Sequence, residues 1–192
     1  MTRRRVLIVV AGLLAVLGLE QLGQGAWIHV KARLAQHLLQ RAWARTARGE
    51  TRARPWPWAD TWPVARLRVP AHDVDLIFLS GVSGRTLAFG PGHAPGSAAP
   101  GAPGTAIVTG HRDTHFRFLE HMKPGDELLV ELPGGRPRRL RIEGVSVVDS
   151  RTAVIRSEDR SAGLILMTCY PFDAVVPGGP LRYVVTARAS GS

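Results

Sequence analysis

From Trp62 onward, glycine and proline turns divide the chain into short β-type runs, and this pattern limits its possible folds more than any other feature. Turn signals such as Pro124-Gly125 and Pro133-Gly134-Gly135 separate the runs, and no long helical period occurs between them. Seven or eight short strands of this kind predict a closed β-barrel or a β-sandwich. The predicted strands are Ala65–Val69, Val74–Leu79, Thr105–Thr109, Glu127–Leu132, Arg138–Val148, Gly163–Cys169 and Leu181–Arg188.

Two segments between these strands have a different composition. Gly90–Gly104 is rich in Gly, Pro, Ala and Ser, which predicts a loop that crosses the barrel. Phe116–Met122 ends before Lys123-Pro124-Gly125, and we predict one or two helical turns there.

The N-terminus predicts a membrane anchor. Met1–Arg5 is basic, and Val6–Leu19 contains no charged residue. This stretch alone is short for a spanning helix, but an extension to Ile28 reaches the required length. We therefore predict an uncleaved signal-anchor over residues 1–28 that crosses the inner membrane once. The arginines would stay inside and the rest of the chain would lie on the periplasmic side, outside the cytoplasm.

Residues 29–60 predict a stalk and a linker. Leucines and arginines recur at helical spacing over Ile28–Arg48 without a Pro or Gly between them. Pro55 and Pro57 then exclude a continuing helix, so Arg52–Trp58 is expected to be a linker or an arm on the next domain. The β domain is expected over residues 61–192.

The net charge of +10 is unevenly distributed. Residues 1–60 contain ten Lys and Arg against three Asp and Glu, whereas residues 61–192 contain 15 against 12. A basic N-terminal segment suits anionic lipid headgroups. Because the few aromatic residues are not interleaved with the basic ones, nucleic-acid binding is not predicted.

Cys169 is the only cysteine, and it ends an apolar run that begins at Leu164. A lone cysteine is often a small buried hydrophobe, but in an exported chain it is a free reactive thiol or an intermolecular link. His111 follows Gly110 at the end of another apolar strand, and its imidazole would take the thiol proton if the two strands are neighbours. Arg182, in a third strand, would supply donors to an oxyanion.

These motifs, in this order, resemble the sortase family. The resemblance rests on Gly110-His111, on Leu166–Cys169 and on Arg182, and it covers roughly Trp62 to Arg188. Gly110–Phe116 and Thr168–Phe172 are especially similar to the sortases of Gram-negative bacteria. Ile165 stands where the family pattern Thr-Leu-x-Thr-Cys has its first threonine.

The resemblance implies a mainly β fold, a closed eight-stranded barrel with short helices, and a membrane-anchored cysteine transpeptidase. Cys169 would attack the threonine carbonyl of a C-terminal Leu-Pro-x-Thr-Gly-like sorting signal and form a thioester. His111 would act first as an acid and then as a base, and Arg182 would stabilise the tetrahedral intermediate. The implied partners are a protein that carries the signal and an amine acceptor.

Further residues are implied to support this site. Thr168 would help line the oxyanion site, and Asp113 and His115 would orient the loop that carries His111. Loops such as Asp149–Ala162 would set specificity. The resemblance implies no metal or other cofactor for the chemistry.

Three other interpretations remain open. His111, Asp113 and His115 occupy alternate positions, which on a strand would share one face and bind zinc in a hydrolase. A papain-like peptidase would have its cysteine before its histidine, the reverse of the order here. A membrane-tethered β-barrel binding module, with Cys169 in its core, would make the three motifs a coincidence.

Overall fold

A closed barrel dominates the computed structural model, which describes residues 3–154, 162–176 and 178–189. Its strands are β1 Pro63–Val69, β2 Val74–Ser80, β3 Gly92–His93, β4 Gly104–Thr109, β5 Glu127–Glu131, β6 Arg138–Asp149, β7 Ala162–Cys169 and β8 Leu181–Ala189. Around the barrel they follow the order β1-β2-β3-β4-β7-β8-β6-β5. The predicted eight-stranded barrel is thereby confirmed, and all seven strands predicted from the sequence form with nearly the same ends.

The barrel interior is filled because the strands alternate apolar and polar positions. In β1, Ala65, Leu67 and Val69 are buried and the intervening arginines are more exposed. Phe78 of β2 and Leu166 of β7 meet them in one cluster of buried side chains. Each fully buried side chain of this size stabilises the fold by about 1.5–3 kcal/mol, so the alternation fixes which face of each strand turns inward.

The segment Gly90–Gly104 is not only a loop, which corrects the prediction. Its residues Gly92 and His93 form β3, which pairs in parallel with β2 and antiparallel with β4 and so connects these two strands. A Cβ atom on Gly92 would lie 2.2 Å from the carbonyl oxygen of Gly81, so only glycine fits this close approach. Two residues carry no alternating pattern, and for that reason the sequence did not reveal the strand.

Three strands bring their ends together at one end of the barrel. β4 and β7 are parallel, with Thr109 opposite Met167. β8 is antiparallel to β7, with Arg182 opposite Cys169. The C-terminal ends of β4 and β7 therefore meet the beginning of β8.

The remaining elements are helical. The helix α1 covers Arg3–Ala47, which includes nearly all of the predicted helix Ile28–Arg48, and α2 covers Gly84–Leu87. The 3₁₀ turn Arg117–His121 confirms the helical turns predicted after His115. Among the residues that the structure describes, no helix has both the length and the apolar character needed to cross a membrane.

The chain divides into two compact units, residues 1–37 and residues 38–192. The second unit contains the end of α1 as well as the barrel. Leu39 and Trp43 of this helix end pack with Ile77 and Leu79 of β2 in a separate buried cluster. Apolar burial thus attaches residues 38–47 to the outside of the barrel wall. The domain limits predicted at residues 28 and 60 stay predictions.

Candidate active site

Cys169 lies at the C-terminal end of β7, on the outer face of the barrel wall. Leu164, Leu166 and Thr168 are buried towards the interior, and alternation places Cys169 on the opposite face, where it is half-buried. Arg182 is its direct cross-strand partner on β8, so both side chains leave the sheet on the same side. The nucleophile candidate and the guanidinium are therefore brought together by strand register.

The backbone holds the Arg182 guanidinium. Its Nη1 donates to the carbonyl oxygens of Gly179 at 2.6 Å and of Leu181 at 2.8 Å. Because a guanidinium has five N–H donors, these two bonds leave further donors for a substrate oxygen.

His111 lies at the end of the neighbouring strand β4. The β4–β7 ladder pairs Thr109 with Met167, and one further bond runs from the Gly110 N–H to the Met167 carbonyl at 3.2 Å. The ladder ends at this pair, and His111 and Cys169 follow it by two residues each, so both residues lie at the same end of the two neighbouring strands. The His111 side chain is exposed.

A buried hydrogen bond joins these two strand ends. The Thr168 hydroxyl donates to the Gly110 carbonyl oxygen at 2.7 Å, and Thr168 is only 1% exposed. Thr168 immediately precedes Cys169, and Gly110 immediately precedes His111. The bond therefore fixes the backbone next to both candidate side chains. The implied contribution of Thr168 to the oxyanion site stays a prediction.

The segment after Gly110 is a turn and not a strand. The Phe116 N–H donates to the His111 carbonyl at 2.9 Å, and the Phe116 ring is fully buried beneath the turn. A Cβ atom on Gly110 would lie 3.0 Å from two atoms of that ring, which explains the glycine at this position. Because the residues turn, His111, Asp113 and His115 do not share a strand face, and that premise of the zinc interpretation is wrong.

His115 lies close enough to both His111 and Asp113 to interact with them electrostatically. Burial lowers the pKa of His115, the charge of His111 lowers it further, and Asp113 acts in the opposite direction. The predicted role of Asp113 and His115, orientation of the His111 loop, stays a prediction. Within the described part of the chain, no group of three His, Cys, Asp or Glu side chains is arranged to hold a metal ion.

Arg112 is a site residue that the sequence did not reveal. Its Nη2 donates to the Ala174 carbonyl oxygen at 2.6 Å, in a part-buried bond between residues 62 positions apart. Ala174 belongs to the loop that connects β7 to β8. A backbone carbonyl has no sequence signature, so no motif could have identified this partner.

Two aromatic side chains of the same loop, Tyr170 and Phe172, pack against Tyr183 of β8. Tyr170 stacks on Tyr183 with ring centroids 6.0 Å apart, and Phe172 meets the Tyr183 ring edge-on at 5.0 Å. Burial raises the pKa of Tyr183, and the neighbouring Tyr170 and Glu120 raise it further. These contacts fix the β7–β8 loop immediately after Cys169.

The loop after β6 begins close to Arg182. Asp149 accepts bonds from Arg151, which lowers the pKa of the Asp149 carboxyl, and the charge of Arg182 lowers it further. Of the predicted specificity loop Asp149–Ala162, residues 155–161 lie outside the described residues.

Comparison with known proteins identifies the family. A sequence model of the sortase domain matches residues 67–190. The chain belongs to the sortase family. Sortase D of Bacillus subtilis (strain 168) is 32% identical to this sortase over 122 residues, which are 64% of this chain and 61% of that protein. The match therefore spans about three fifths of that relative's length.

Solved structures share the fold of this sortase. Sortase A from Corynebacterium diphtheriae has a TM-score of 0.62 at 27% identity, over 70% of this chain and 64% of that one. A Sortase D5 transpeptidase from Clostridium perfringens has a TM-score of 0.65 at 19% identity, over 83% and 99% of the two chains, and shows the fold alone. The resemblance predicted from the motifs is confirmed at the level of the family. The closer likeness to Gram-negative sortases stays a prediction.

Proposed function

We propose that this sortase is a cysteine transpeptidase. It would cleave a Leu-Pro-x-Thr-Gly-like sorting signal after its threonine and transfer the protein to an amine. The observation that carries the proposal is the strand register, in which Arg182 pairs with Cys169 and the β4–β7 offset brings His111 to the same strand end. The proposal is also supported by membership of the sortase family, because solved sortases have the same barrel fold.

The chemistry follows from the three side chains. The Cys169 sulfur, as thiolate, forms a bond to the threonine carbonyl carbon, and the carbonyl oxygen becomes an oxyanion. Arg182 N–H donors stabilise that oxyanion. The carbon–nitrogen bond then breaks, the leaving amine takes a proton from the His111 imidazolium, and a thioester remains on Cys169.

In the second half of the reaction, the thioester reacts with the acceptor amine, and His111 acts as a base and no longer as an acid. The incoming amine attacks the thioester carbonyl while neutral His111 removes its proton. The carbon–sulfur bond breaks, Cys169 leaves as a thiolate, and a new amide is released. Water in place of the amine would give a hydrolysed product, so amine capture requires that the acceptor reach the thioester first.

We also propose where the protein acts. The basic start and the uncharged stretch Val6–Leu19 support insertion of residues 1–28 into the inner membrane, with the barrel on the periplasmic side. Fractionation of cells that express the full chain tests the insertion of this segment into the membrane. Recovery in the membrane pellet after a high-salt or alkaline wash would support it, and release into the soluble fraction would refute it.

The reaction is tested by weighing the protein. The full chain, in detergent micelles, is mixed with a Leu-Pro-x-Thr-Gly-type peptide library and EDTA, first without and then with triglycine, and is analysed by mass spectrometry. The adduct is sought in the mixture without triglycine. We expect a mass gain on Cys169 that matches a peptide cut after threonine. This adduct should be absent in Cys169→Ala and strongly reduced in His111→Ala, with the thermal unfolding of each variant close to that of the parent.

Two results would contradict the proposal. A folded parent protein that forms no thioester with any member of the library would refute the signal class. Peptide cleavage that needs zinc in place of EDTA, and persists in Cys169→Ala, would assign the activity to metal-dependent hydrolysis.

A further inference from the structure

Arg112 connects the two loops that flank the candidate active site. Its guanidinium Nη2 donates to the Ala174 carbonyl at 2.6 Å, and both residues are half-buried. Arg112 directly follows His111 in the turn after β4. Ala174 lies in the loop that leads from Cys169 to Arg182. The bond therefore links the turn that carries the acid–base candidate to the loop between the other two candidate residues.

The spacing between His111 and Cys169 depends on such contacts. The β4–β7 ladder ends at Thr109 and Met167, so ladder hydrogen bonds do not hold the residues beyond Gly110. The Thr168 hydroxyl holds the backbone just before His111. The His111 side chain is exposed, so close packing does not fix it. Arg112, the residue after His111, holds the turn through its bond to the Ala174 carbonyl.

We propose that Arg112 is a positioning residue that sets the distance between His111 and Cys169 by clamping the His111 turn to the β7–β8 loop. The inference rests on the proposed function, in which the imidazole and the thiol exchange a proton. A displacement of about 1 Å at a reacting pair costs up to ~10²-fold in rate. Arg112→Ala should therefore slow thioester formation roughly 10- to 100-fold, with kcat reduced and KM nearly unchanged.

The test compares Arg112→Ala and Arg112→Lys with a matched control, Arg117→Ala, which removes an exposed arginine from the following helical turn. Two rates are measured on the full chain: thioester formation with the peptide found above, and alkylation of Cys169 by iodoacetamide, which needs no substrate. Both are also measured for His111→Ala and for the double variant His111→Ala with Arg112→Ala. The melting temperature of every variant is recorded.

We expect Arg112→Ala to shift both rates towards those of His111→Ala, and to have little further effect when His111 is already alanine. Arg112→Lys should recover part of the loss because an ammonium donates a single bond to the same carbonyl. Arg117→Ala should match the parent.

Two results would overturn the role of Arg112 and leave the proposed function intact. Parental rates in Arg112→Ala would show that the clamp is unnecessary, and equal losses in the presence and absence of His111 would show that Arg112 acts through something else. If His111→Ala leaves both rates unchanged, the pairing of His111 with Cys169 fails, and the proposed function fails with it. If no peptide reacts, the alkylation rates alone decide the role of Arg112.

Discussion

The hydrogen bond from Thr168 to Gly110 offers a direct test of how the site is built. Thr168→Val removes the hydroxyl and keeps the shape of the side chain. The Gly110 carbonyl, which is also buried, then loses its bond of 2.7 Å. A buried acceptor left without a partner costs about 1–3 kcal/mol. The added methyl group recovers a fraction of this by apolar burial, so we expect a net loss of about 1–2 kcal/mol.

Thermal unfolding of the full chain measures this loss. For a protein of 192 residues, 1 kcal/mol corresponds to about 2–4 °C, so the melting temperature should fall by about 2–8 °C. Thr168→Ser keeps the hydroxyl and should recover most of the difference. Since the bond joins the backbones beside Cys169 and His111, Thr168→Val should also slow thioester formation.

A matched control exists on another pair of strands. The Thr186 hydroxyl donates to the Gly144 carbonyl at 3.2 Å in a part-buried position, where water can replace it. Thr186→Val should therefore lower the melting temperature less than Thr168→Val does. If the two variants lose equal stability, or if Thr168→Val melts with the parent, the buried bond has no special weight and the reasoning is refuted.

Three further outcomes follow from the packing and the electrostatics. Gly92→Ala should prevent β3 from closing the barrel, because its Cβ would lie 2.2 Å from the Gly81 carbonyl oxygen, and should yield misfolded protein on expression. Gly96→Ala, with nothing within 4 Å of the new Cβ, should express normally. Leu39→Ala should cost about 2–5 kcal/mol in chemical denaturation, because Leu39 is 1% exposed against the barrel wall, and an unchanged midpoint would contradict that packing. The pKa of His115 in the folded protein lies below its ordinary value of about 6.5. As the pH falls through this value, the unfolded state binds a proton more readily than the folded state, and the folded state loses stability. The melting temperature of the parent should therefore drop more between pH 7.5 and 5 than that of His115→Gln, and parallel curves would contradict the shift.

The local sequence predicted most of the barrel because its strands are short apolar runs that end at turn residues. In β1 every second residue is buried, β7 contains the unbroken apolar run Leu164–Met167, and proline or glycine marks the ends of many strands. The order of the His, Cys and Arg motifs then identified the family. The strand β3 was not predicted, because a strand of two residues, Gly92 and His93, is too short to show any periodicity.

The candidate site was only partly predictable. Cys169 and His111 are conspicuous by residue type and by their place after apolar runs, and Arg182 by its place in the motif order. The strand over His111–His115 that the zinc interpretation required does not form, because the buried Phe116 ring and its N–H bond to the His111 carbonyl turn the chain there. Such a contact depends on space inside the barrel and leaves no periodic signal.

The sequence by itself determined which residues are candidates for the chemistry and which strands lie beside them, because residue type and apolar runs are local properties. The tertiary structure alone decided that those strands are neighbours, with β4 parallel and β8 antiparallel to β7. It also decided the contacts that hold the site, from Thr168 to the Gly110 carbonyl and from Arg112 to the Ala174 carbonyl. Both acceptors are backbone oxygens distant in sequence, and every residue has such an oxygen, so only the folded chain could select them.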